Sequence, residues 1–452
     1  MSDFNTDIRA QKDKLSNIAA QTVSKAVKAG ADECAVDVGG ASGISVSARS
    51  GEVENIEFNR DNGMSVTVYR GHRRGSASTT DLSPEAIASC IDSAMSIASF
   101  ADADPCAGIA DRDLLCQSFK DLKVTYPGFS DPDEAVQLAV SLDRKAAECK
   151  DGEIRGSDGA SASYTLYTGC FANSNGFCRA SASSICSADV TLLGQQGGVM
   201  QRGSSFTVAR RPQDLMSADA VVAEAERRTR GRLGAHPVKT GKYSVIFTRG
   251  AAQSLIGNFA AAIGGGAIYR RRSFLCDMLG KQVMPKWVTI TEDPTILGSL
   301  GAANCDGEGV SAVRSQPVTD GVLKEYLLAS YSARKLGFRS NGHSGGIYNW
   351  FVDMDGQRTL EFDELLRTAG EGIVVDELMG QGADLASGNY SRGAAGYWFK
   401  NGEQVHPVSE ITIAGNLRDM FMHLEYIGKD RDPRYKVQCG SLLVSGMTVS
   451  GN

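Results

Sequence analysis

The sequence has few histidines, and their spacing excludes the commonest catalytic zinc motif. They are His72, His236, His343, His406 and His423, and no two lie within one helical turn of each other. A zinc helix of the His-Glu-x-x-His kind places two imidazoles one turn apart, with a glutamate between them as general base. The sequence therefore predicts no such helix. A metal site assembled from scattered His, Cys and Asp side chains stays open at this point.

Two other catalytic signatures do not occur in the form that catalysis requires. The chain has no Gly-x-Ser-x-Gly elbow between a strand and a helix, which a serine hydrolase of that fold uses to expose its nucleophile. It has no phosphate-binding Gly-Lys-Ser/Thr loop, because the glycine-rich run from Gly301 to Gly309 contains no lysine. The simplest serine-hydrolase and nucleotide-hydrolase interpretations are therefore not supported.

The chain also lacks a long hydrophobic run and an excess of positive charge. Its most apolar long stretch, residues 254–268, is short and contains Asn258, so no membrane span is predicted. The net charge of −6 and the pI of about 5.6 argue against binding to nucleic acid through overall charge. The first residues are polar and charged, so we expect a cytoplasmic protein without a signal peptide. One basic run suits the C-terminal end of a helix: Arg227, Arg228, Arg230 and Arg232.

The cysteines do not suit a disulfide framework. There are eleven of them, an odd number, and with no secretory signal we expect reduced thiols. Cys170, Cys178 and Cys186 lie eight residues apart, which is wider than the usual spacing of zinc ligands. The sequence predicts that these three are small residues in neighbouring strands.

The patterns that are present indicate an α+β fold. Residues 7–29 have helical periodicity, and Ser83-Pro84 and Asp131-Pro132 are typical helix starts. Between the helices lie short strand-like runs separated by turn sequences such as Asp61-Asn62-Gly63 and Asn175-Gly176. These patterns predict helices packed on an antiparallel sheet.

The length of 452 residues exceeds one ordinary domain, so we expect two. The boundary is predicted in the segment from Gly234 to Gly241, which contains a His-Pro pair. Residues 1–234 would form an α+β domain with an antiparallel sheet. Residues 235–452 would form a β-rich domain, whose many short strands favour a closed sheet that hides their edges.

The N-terminal domain also shows signs of an internal duplication. A Gly-Ser phrase, then Asp-Leu, then a helix occurs twice, at Gly75–Thr79 and again at Gly203–Thr207. A helix and strands precede each phrase. We therefore expect residues 7–98 and 132–230 to share a strand order.

The stretch from Glu377 to Val408 combines glycines with aromatic residues. Tyr390, Arg392 and Trp398 lie among the glycines, and Asn401-Gly402 follows as a strong hairpin signal. Because glycine permits close backbone approach, we expect a shaped surface on which these three side chains contact a substrate or partner. The alternative is a plain meander, with Trp398 in the core and Arg392 paired with an internal acid.

Several long motifs carry a family resemblance. They are ELMGQG, SGNYSRGAAGYW and the NGE after it, EITIAGNLRDMF, SYSARKLG, CDGEGV, SFLCDMLGKQV and GSASTTDLSPEAI. These motifs resemble the TldD/PmbA family, whose members are known as modulators of DNA gyrase or peptide-maturation proteases. The resemblance covers nearly the whole chain and is strongest to the PmbA branch, also called TldE.

The resemblance implies metallopeptidase chemistry in the family but not in this chain. In the TldD branch it implies a His-Glu-x-x-x-His helix that opens the C-terminal domain and holds zinc. The corresponding stretch here, residues 255–266, has no histidine and no carboxylate. Cys439 resembles a Cys-Gly ligand of the catalytic branch, but one thiol cannot hold a metal, and a small buried thiol is the simpler interpretation. We therefore expect no catalytic or metal-binding residue here, and zinc on the partner.

The resemblance thus implies a PmbA/TldE-type subunit of a TldD-like metallopeptidase complex that cleaves unfolded peptides or processes peptide precursors. Its partners would be a TldD-type subunit and a peptide, with no nucleic acid and no membrane, and a homodimer is possible when the TldD-type subunit is absent. Two alternatives stay open. The chain could be a metallopeptidase in its own right with a non-standard metal site, or a regulatory binding protein.

Overall fold

The computed structural model describes residues 2–451 and distributes its strands over three sheets. The first sheet uses strands from residues 33–209, and the other two use strands from residue 241 onward. The expected α+β class, with an antiparallel N-terminal sheet and a β-rich C-terminal part, is confirmed. The division into domains 1–234 and 235–452 stays a prediction. Among the described residues no helix is both long and apolar enough to cross a membrane.

The N-terminal part is an antiparallel six-stranded sheet with helices packed on it. The helices are α1 (Ser2–Lys28), α2 (Pro84–Phe100), α3 (Pro132–Glu148) and α4 (Ala218–Arg230). The strands are β1 (Glu33–Arg49), β2 (Glu52–Arg70), β3 (Arg73–Thr79), β4 (Ile154–Asn173), β5 (Cys178–Gln196) and β6 (Val199–Ala209).

Two three-stranded halves meet in the middle of this sheet. β1 pairs with β4 antiparallel, and each then pairs with the strand that follows it, so the spatial order is β3-β2-β1-β4-β5-β6. From the centre outward the two halves repeat one strand order, and a helix precedes and follows each half. The two Gly-Ser phrases fall in the outer strands β3 and β6. The shared order supports the predicted duplication.

Local sequence signals fix where the helices begin. The Ser83 side chain accepts a hydrogen bond from the Ala86 backbone N–H, and Pro84 is the first residue of α2. Asp131 caps α3 in the same way through the Asp133 N–H. The apolar faces of α1 and α2 form one core with the first half of the sheet. Those of α3 and α4 form a second core with the other half.

The turn predicted at Asp61-Asn62-Gly63 is wrong. These residues lie inside β2, where Asn62 pairs with Gly40 and Gly63 pairs with Gly39. Neither Asn62 nor Gly63 has the positive φ that a tight hairpin turn requires. The two strands are instead very close here, because a Cβ on Gly40 would lie 1.9 Å from the Asp61 carbonyl oxygen. Gly40 on β1 therefore marks the close strand contact, and Asn62-Gly63 is ordinary paired strand.

The C-terminal part consists mainly of strands. Its helices are α5 (Arg249–Ala262), α6 (Gly265–Tyr269), α7 (Ser330–Leu336), α8 (Phe362–Ala369) and α9 (Leu417–Met422). Its strands are β7 (Gly241–Phe247), β8 (Val288–Glu292), β9 (Ser315–Thr319), β10 (Val322–Leu323), β11 (Trp350–Met354), β12 (Thr359–Leu360), β13 (Glu371–Met379), β14 (Asn389–Lys400), β15 (Glu403–Asn416), β16 (Leu424–Gly428), β17 (Val437–Gln438) and β18 (Leu442–Ser450).

The larger C-terminal sheet closes on itself. Its order is β12-β16-β18-β15-β14-β13-β7, and β18 also pairs with β7, so five of its strands form a ring. The ring hides the strand edges, as expected. The predicted hairpin joins β14 to β15, with Asn401 at φ 55° and Gly402 at φ 85°. A smaller sheet, β10-β9-β8-β11-β17, shares the main C-terminal core with α5.

Candidate functional site

Helix α5 occupies the stretch in which the family resemblance implies zinc ligands. Leu255, Ile256 and Phe259 on this helix are fully buried in the main core. On its partly exposed side lie Gly257 and Asn258. Neither residue supplies an imidazole or a carboxylate, the side chains that usually bind zinc with thiolate. One side of the helix thus packs large apolar side chains into the core, and the other side carries small ones.

The donor set elsewhere does not fit a catalytic zinc either. Cys439 is 1% exposed, and burial raises the pKa of its thiol to about 12. Across residues 2–451, no three side chains of His, Cys, Asp or Glu come together in a way that could hold a metal ion. The residues present therefore do not match the metal that the family resemblance implies.

Ring contacts of three histidines hold separate parts of the chain together. His343 is buried, and its Nε2 lies 2.7 Å from Glu292 Oε2. The other oxygen of Glu292 accepts a hydrogen bond of 2.6 Å from the Tyr348 backbone N–H. This pair holds the loop before β11 against β8. His236 stacks on His406 at a centroid distance of 4.1 Å, which connects the segment after α4 to β15.

The cavity that stands out chemically lies between the two parts of the chain. It has a volume of about 460 Å³ and is bounded by the end of α4, the start of α5, β13 and β14. Five arginines line it: Arg227, Arg228, Arg232, Arg249 and Arg392. Three carboxylates line it as well: Asp376, Glu377 and Asp430. Such a density of charge at a junction makes it the candidate functional site.

A buried ion network lies behind this cavity. Arg434 contacts Glu224 at 2.9 Å and Asp432 at 2.6 Å, and Arg228 contacts Glu224 at 2.7 Å. Burial alone would raise the pKa of Glu224, but hydrogen bonds from Arg434 and from Ser205 outweigh it and lower the pKa to about 2. Because Glu224 is on α4 and Arg434 follows β16, the network ties the N-terminal part to the C-terminal part.

Several of the charged side chains on the cavity wall are already paired with other residues of the chain. Arg232 contacts Glu377 at 2.6 Å. Asp430 accepts hydrogen bonds from the backbone N–H and the hydroxyl of Ser441. The side chains of Arg227 and Asp376, by contrast, have no hydrogen-bond or ion-pair partner among residues 2–451. The wall therefore offers one free cation and one free anion.

Of the three predicted site residues, Arg392 reaches the cavity. Its guanidinium donates to Ser254 Oγ at 3.0 Å and to the Leu378 carbonyl at 3.3 Å. Its Nε is buried and makes no hydrogen bond of good geometry among the described residues, and the buried hydroxyl of Tyr390 lies beside the guanidinium. The alternative in which Arg392 pairs with an internal acid is therefore not what the structure has.

The other two residues lie in or against the core. Tyr390 is 1% exposed and belongs to the main C-terminal core, so it is inside the closed sheet and not on the surface where we expected it. Trp398 is half-buried and packs edge-on against Tyr243 at 5.0 Å. A binding role for Tyr390, Arg392 and Trp398 stays a prediction.

Most of the cavity was missed from the sequence. The basic run at the end of α4 was interpreted as a helix end, which it is, but three of its arginines also line the cavity. The fourth, Arg230, contacts Asp151 and Glu226 instead. The run was the available signal, but Asp376, Glu377 and Arg392 of the same wall lie more than a hundred residues further along the chain.

Comparison with known proteins gives matches along almost the whole chain. Three family models match, described as PmbA/TldA metallopeptidase domain 1 at residues 34–98, central domain at 126–233 and C-terminal domain at 240–451. The chain is 42% identical to the metalloprotease PmbA of Escherichia coli O157:H7, over 99% of this chain and 98% of that protein. It is 39% identical to a metalloprotease PmbA homolog of Haemophilus influenzae, over 98% of both chains.

Solved structures share the fold. A protein described as a modulator of DNA gyrase from Bacteroides thetaiotaomicron superposes with a TM-score of 0.90 at 24% identity, covering 96% of this chain and 98% of that one. TldE from Thermococcus kodakarensis superposes with a TM-score of 0.82 at 19% identity, covering 96% and 100%. With the high identity to the PmbA proteins, these matches show that the chain belongs to the PmbA/TldD family of metalloprotease homologues.

Proposed function

We propose that this chain is the PmbA/TldE-type subunit of a TldD-like metallopeptidase complex and is itself non-catalytic. The complex would cleave unfolded peptides or process peptide precursors, and zinc would belong to the TldD-type subunit. One observation carries the proposal: in a family of metalloprotease homologues, helix α5 of this chain offers apolar side chains, Gly257 and Asn258 where a zinc site needs imidazoles and a carboxylate.

Two surfaces support a role in completing a complex and holding a peptide. The first is the arginine-lined cavity between the two parts of the chain. The second is the outer edge of β2, where residues 52–62 pair with β1 on one side and with no described residue on the other. Val53, Ile56 and Phe58 are exposed there, and Phe58 is 67% exposed. An open edge with apolar side chains is normally covered in the working assembly.

The test compares the chain alone with the chain co-expressed with a TldD-type protein. We expect a stable complex, cleavage of an unfolded peptide only by the complex, and metal in stoichiometric amount only when the partner is present. A complex whose partner has the zinc-helix glutamate replaced by glutamine is the matched control and should assemble but not cleave.

Two results would contradict the proposal. Stoichiometric zinc in this chain alone, with chelator-sensitive cleavage, would identify it as a metallopeptidase with its own site. Failure to assemble with a TldD-type protein, together with specific binding to gyrase, would favour a regulatory binding protein.

A further inference from the structure

The cavity between α4 and α5 contains a guanidinium that internal contacts do not fully use. Arg392 is half-buried, and its two hydrogen bonds go to a hydroxyl and a carbonyl, not to a carboxylate. Its Nε N–H is shielded from solvent and makes no hydrogen bond of good geometry among the described residues, although the buried Tyr390 hydroxyl also lies beside the guanidinium. Guanidinium binds most strongly to a planar carboxylate through two parallel hydrogen bonds. The partners of Arg392 therefore leave its strongest interaction available.

Other positive groups face the same space. Arg227, on the last turn of α4, is exposed and has no ion-pair partner among the described residues. The first turn of α5, a helix of 14 residues, contributes Arg249, Gly250 and Ala251 to the wall. That turn has no acidic residue, and the side chain of Thr248 does not cap it. Its free N–H groups add to the attraction that the two arginines already exert on an anion.

The negative groups on the wall narrow the choice of ligand. Glu377 and Asp430 are engaged with Arg232 and Ser441, so Asp376 is the lining carboxylate without a hydrogen-bond or ion-pair partner among residues 2–451. Asp376 would repel a bare anion but would accept a hydrogen bond from an N–H group. Tyr397 lies near both Asp376 and Arg227. Burial raises the pKa of the Tyr397 hydroxyl, the negative charge of Asp376 raises this pKa further, and the positive charge of Arg227 lowers it.

A ligand that suits this wall carries a carboxylate next to an N–H donor. The last residue of a peptide has both, and a cavity of about 460 Å³ can hold such a residue with its neighbour. We propose that this cavity binds the free carboxyl end of a peptide, with Arg392 and Arg227 holding the carboxylate and Asp376 accepting the backbone N–H. The proposal rests on the proposed function only in that the complex acts on peptides.

The experiment measures binding of acetylated tripeptides to the full chain alone by isothermal titration calorimetry. One peptide ends in a free carboxylate and one in a carboxamide. A third has an aspartate side chain and a carboxamide end, so its carboxylate comes from a different source. We expect the free-carboxyl peptide to bind at least about tenfold more tightly than the other two, because a charge-assisted bidentate pair is lost in them. The proposal would be overturned if the free-carboxyl peptide bound no more tightly than the carboxamide peptide, or no more tightly than the aspartate-containing peptide.

Single substitutions of the two arginines test whether they bind the peptide carboxylate. Arg392→Gln should weaken binding of the free-carboxyl peptide at least about tenfold and abolish the preference over the carboxamide. Arg227→Gln should weaken it by about threefold, and because Arg227 is exposed and unpaired, this variant should fold normally. Arg9→Gln, at an exposed position of α1 outside both surfaces, is the matched control and should bind like the original chain.

Unchanged affinity in both Arg392→Gln and Arg227→Gln would overturn the assignment. If Arg392→Gln does not fold, the affinity of Arg227→Gln relative to the original chain still tests the assignment. This comparison is valid when the two chains have the same thermal unfolding midpoint. Because the readout is binding to the chain alone, its failure is distinct from failure of the non-catalytic role, which metal content and peptidase activity report.

Discussion

The two halves of the N-terminal sheet share a strand order but differ at their outer edges. β3 pairs with residues 64–70 of β2, and β6 pairs with residues 186–196 of β5, so each outer strand leaves part of its neighbour uncovered. In the second half another segment covers the gap: the Ser184 N–H donates to the Val124 carbonyl, and its hydroxyl accepts from the Tyr126 N–H. No described residue does the same for residues 52–62 of β2.

The second half is also the one whose outer strand and last helix hold the C-terminal part directly. Arg210 donates to the carbonyls of Ser299 and Leu300, and Glu224 contacts Arg434. The first half is tied to the C-terminal part chiefly through the segment after α2, where Asp104 accepts from Tyr331 and Asp111 from Arg334. Two copies of one fold can therefore diverge in use, one becoming an internal interface and the other keeping an open edge.

The largest expected effect comes from breaking the ion network of the second half. Glu224→Gln removes the carboxylate charge beside Arg434, whose side chain is 8% exposed. We expect the free energy of unfolding to fall by about 3 kcal/mol, because the buried guanidinium of Arg434 loses one of its two carboxylate partners. Urea unfolding measures this loss.

A surface pair of the first half is the matched control. Glu54 lies 3.9 Å from Arg49, and both side chains are more than half exposed. Glu54→Gln should change the free energy of unfolding by less than about 0.5 kcal/mol. Similar losses of unfolding free energy in Glu54→Gln and Glu224→Gln would mean that ion pairs stabilise the two halves equally.

Acid should act on the same network. Burial would raise the pKa of Glu224, but the hydrogen bonds from Arg434 and Ser205 prevail and lower it from 4.5 to about 2. Since the folded-state pKa is below the unfolded-state value, this carboxylate stabilises the fold above about pH 5 and loses its contribution as the pH falls toward 2. We expect a loss of at most about 3 kcal/mol from this group, measured by urea unfolding at several pH values. The Glu224→Gln chain should show a shallower acid dependence, and an unchanged one would contradict the assignment.

A glycine comparison tests how tightly the central strands are packed. A Cβ on Gly40 would lie 1.9 Å from the Asp61 carbonyl oxygen, whereas a Cβ on Gly169 in β4 would lie 3.5 Å from the Val38 carbonyl oxygen. We expect Gly40→Ala to cost about 2 kcal/mol because strand backbones must separate. Gly169→Ala should cost less than about 0.5 kcal/mol. Thermal and urea unfolding measure the loss of unfolding free energy in both variants. Equal losses would show that the open edge of β2 moves freely.

The smallest effect is expected at the open edge itself. Phe58 is 67% exposed, so Phe58→Ser should change the free energy of unfolding by less than about 0.5 kcal/mol. Ile44, which pairs with Phe58 across the ladder, is 9% exposed, and Ile44→Ser should cost about 3 kcal/mol. A cost for Phe58→Ser that grows with protein concentration would indicate that another molecule covers this edge.

Features set by a few neighbouring residues were the ones that the sequence predicted. Ser83-Pro84 and Asp131-Pro132 start helices because side-chain caps act within a single turn. Asn401-Gly402 forms its hairpin for a similarly local reason. Asp61-Asn62-Gly63 failed because the pairing of β2 with β1 overrides the local turn preference. The cavity could not be predicted, since Arg227 and Arg392 come to line one cavity only when the N-terminal and C-terminal parts meet.

The closed C-terminal sheet has a consequence for the order in which the protein can be made. β7 pairs with both β13 and β18, and β18 is synthesised long after β7. On the ribosome the six-stranded N-terminal sheet has all its strands early, while β7 must remain without its final neighbour until translation has passed β18. During that interval the nascent chain exposes unpaired backbone to chaperones and to other chains, so the slow, vulnerable stage of biogenesis should belong to the C-terminal part.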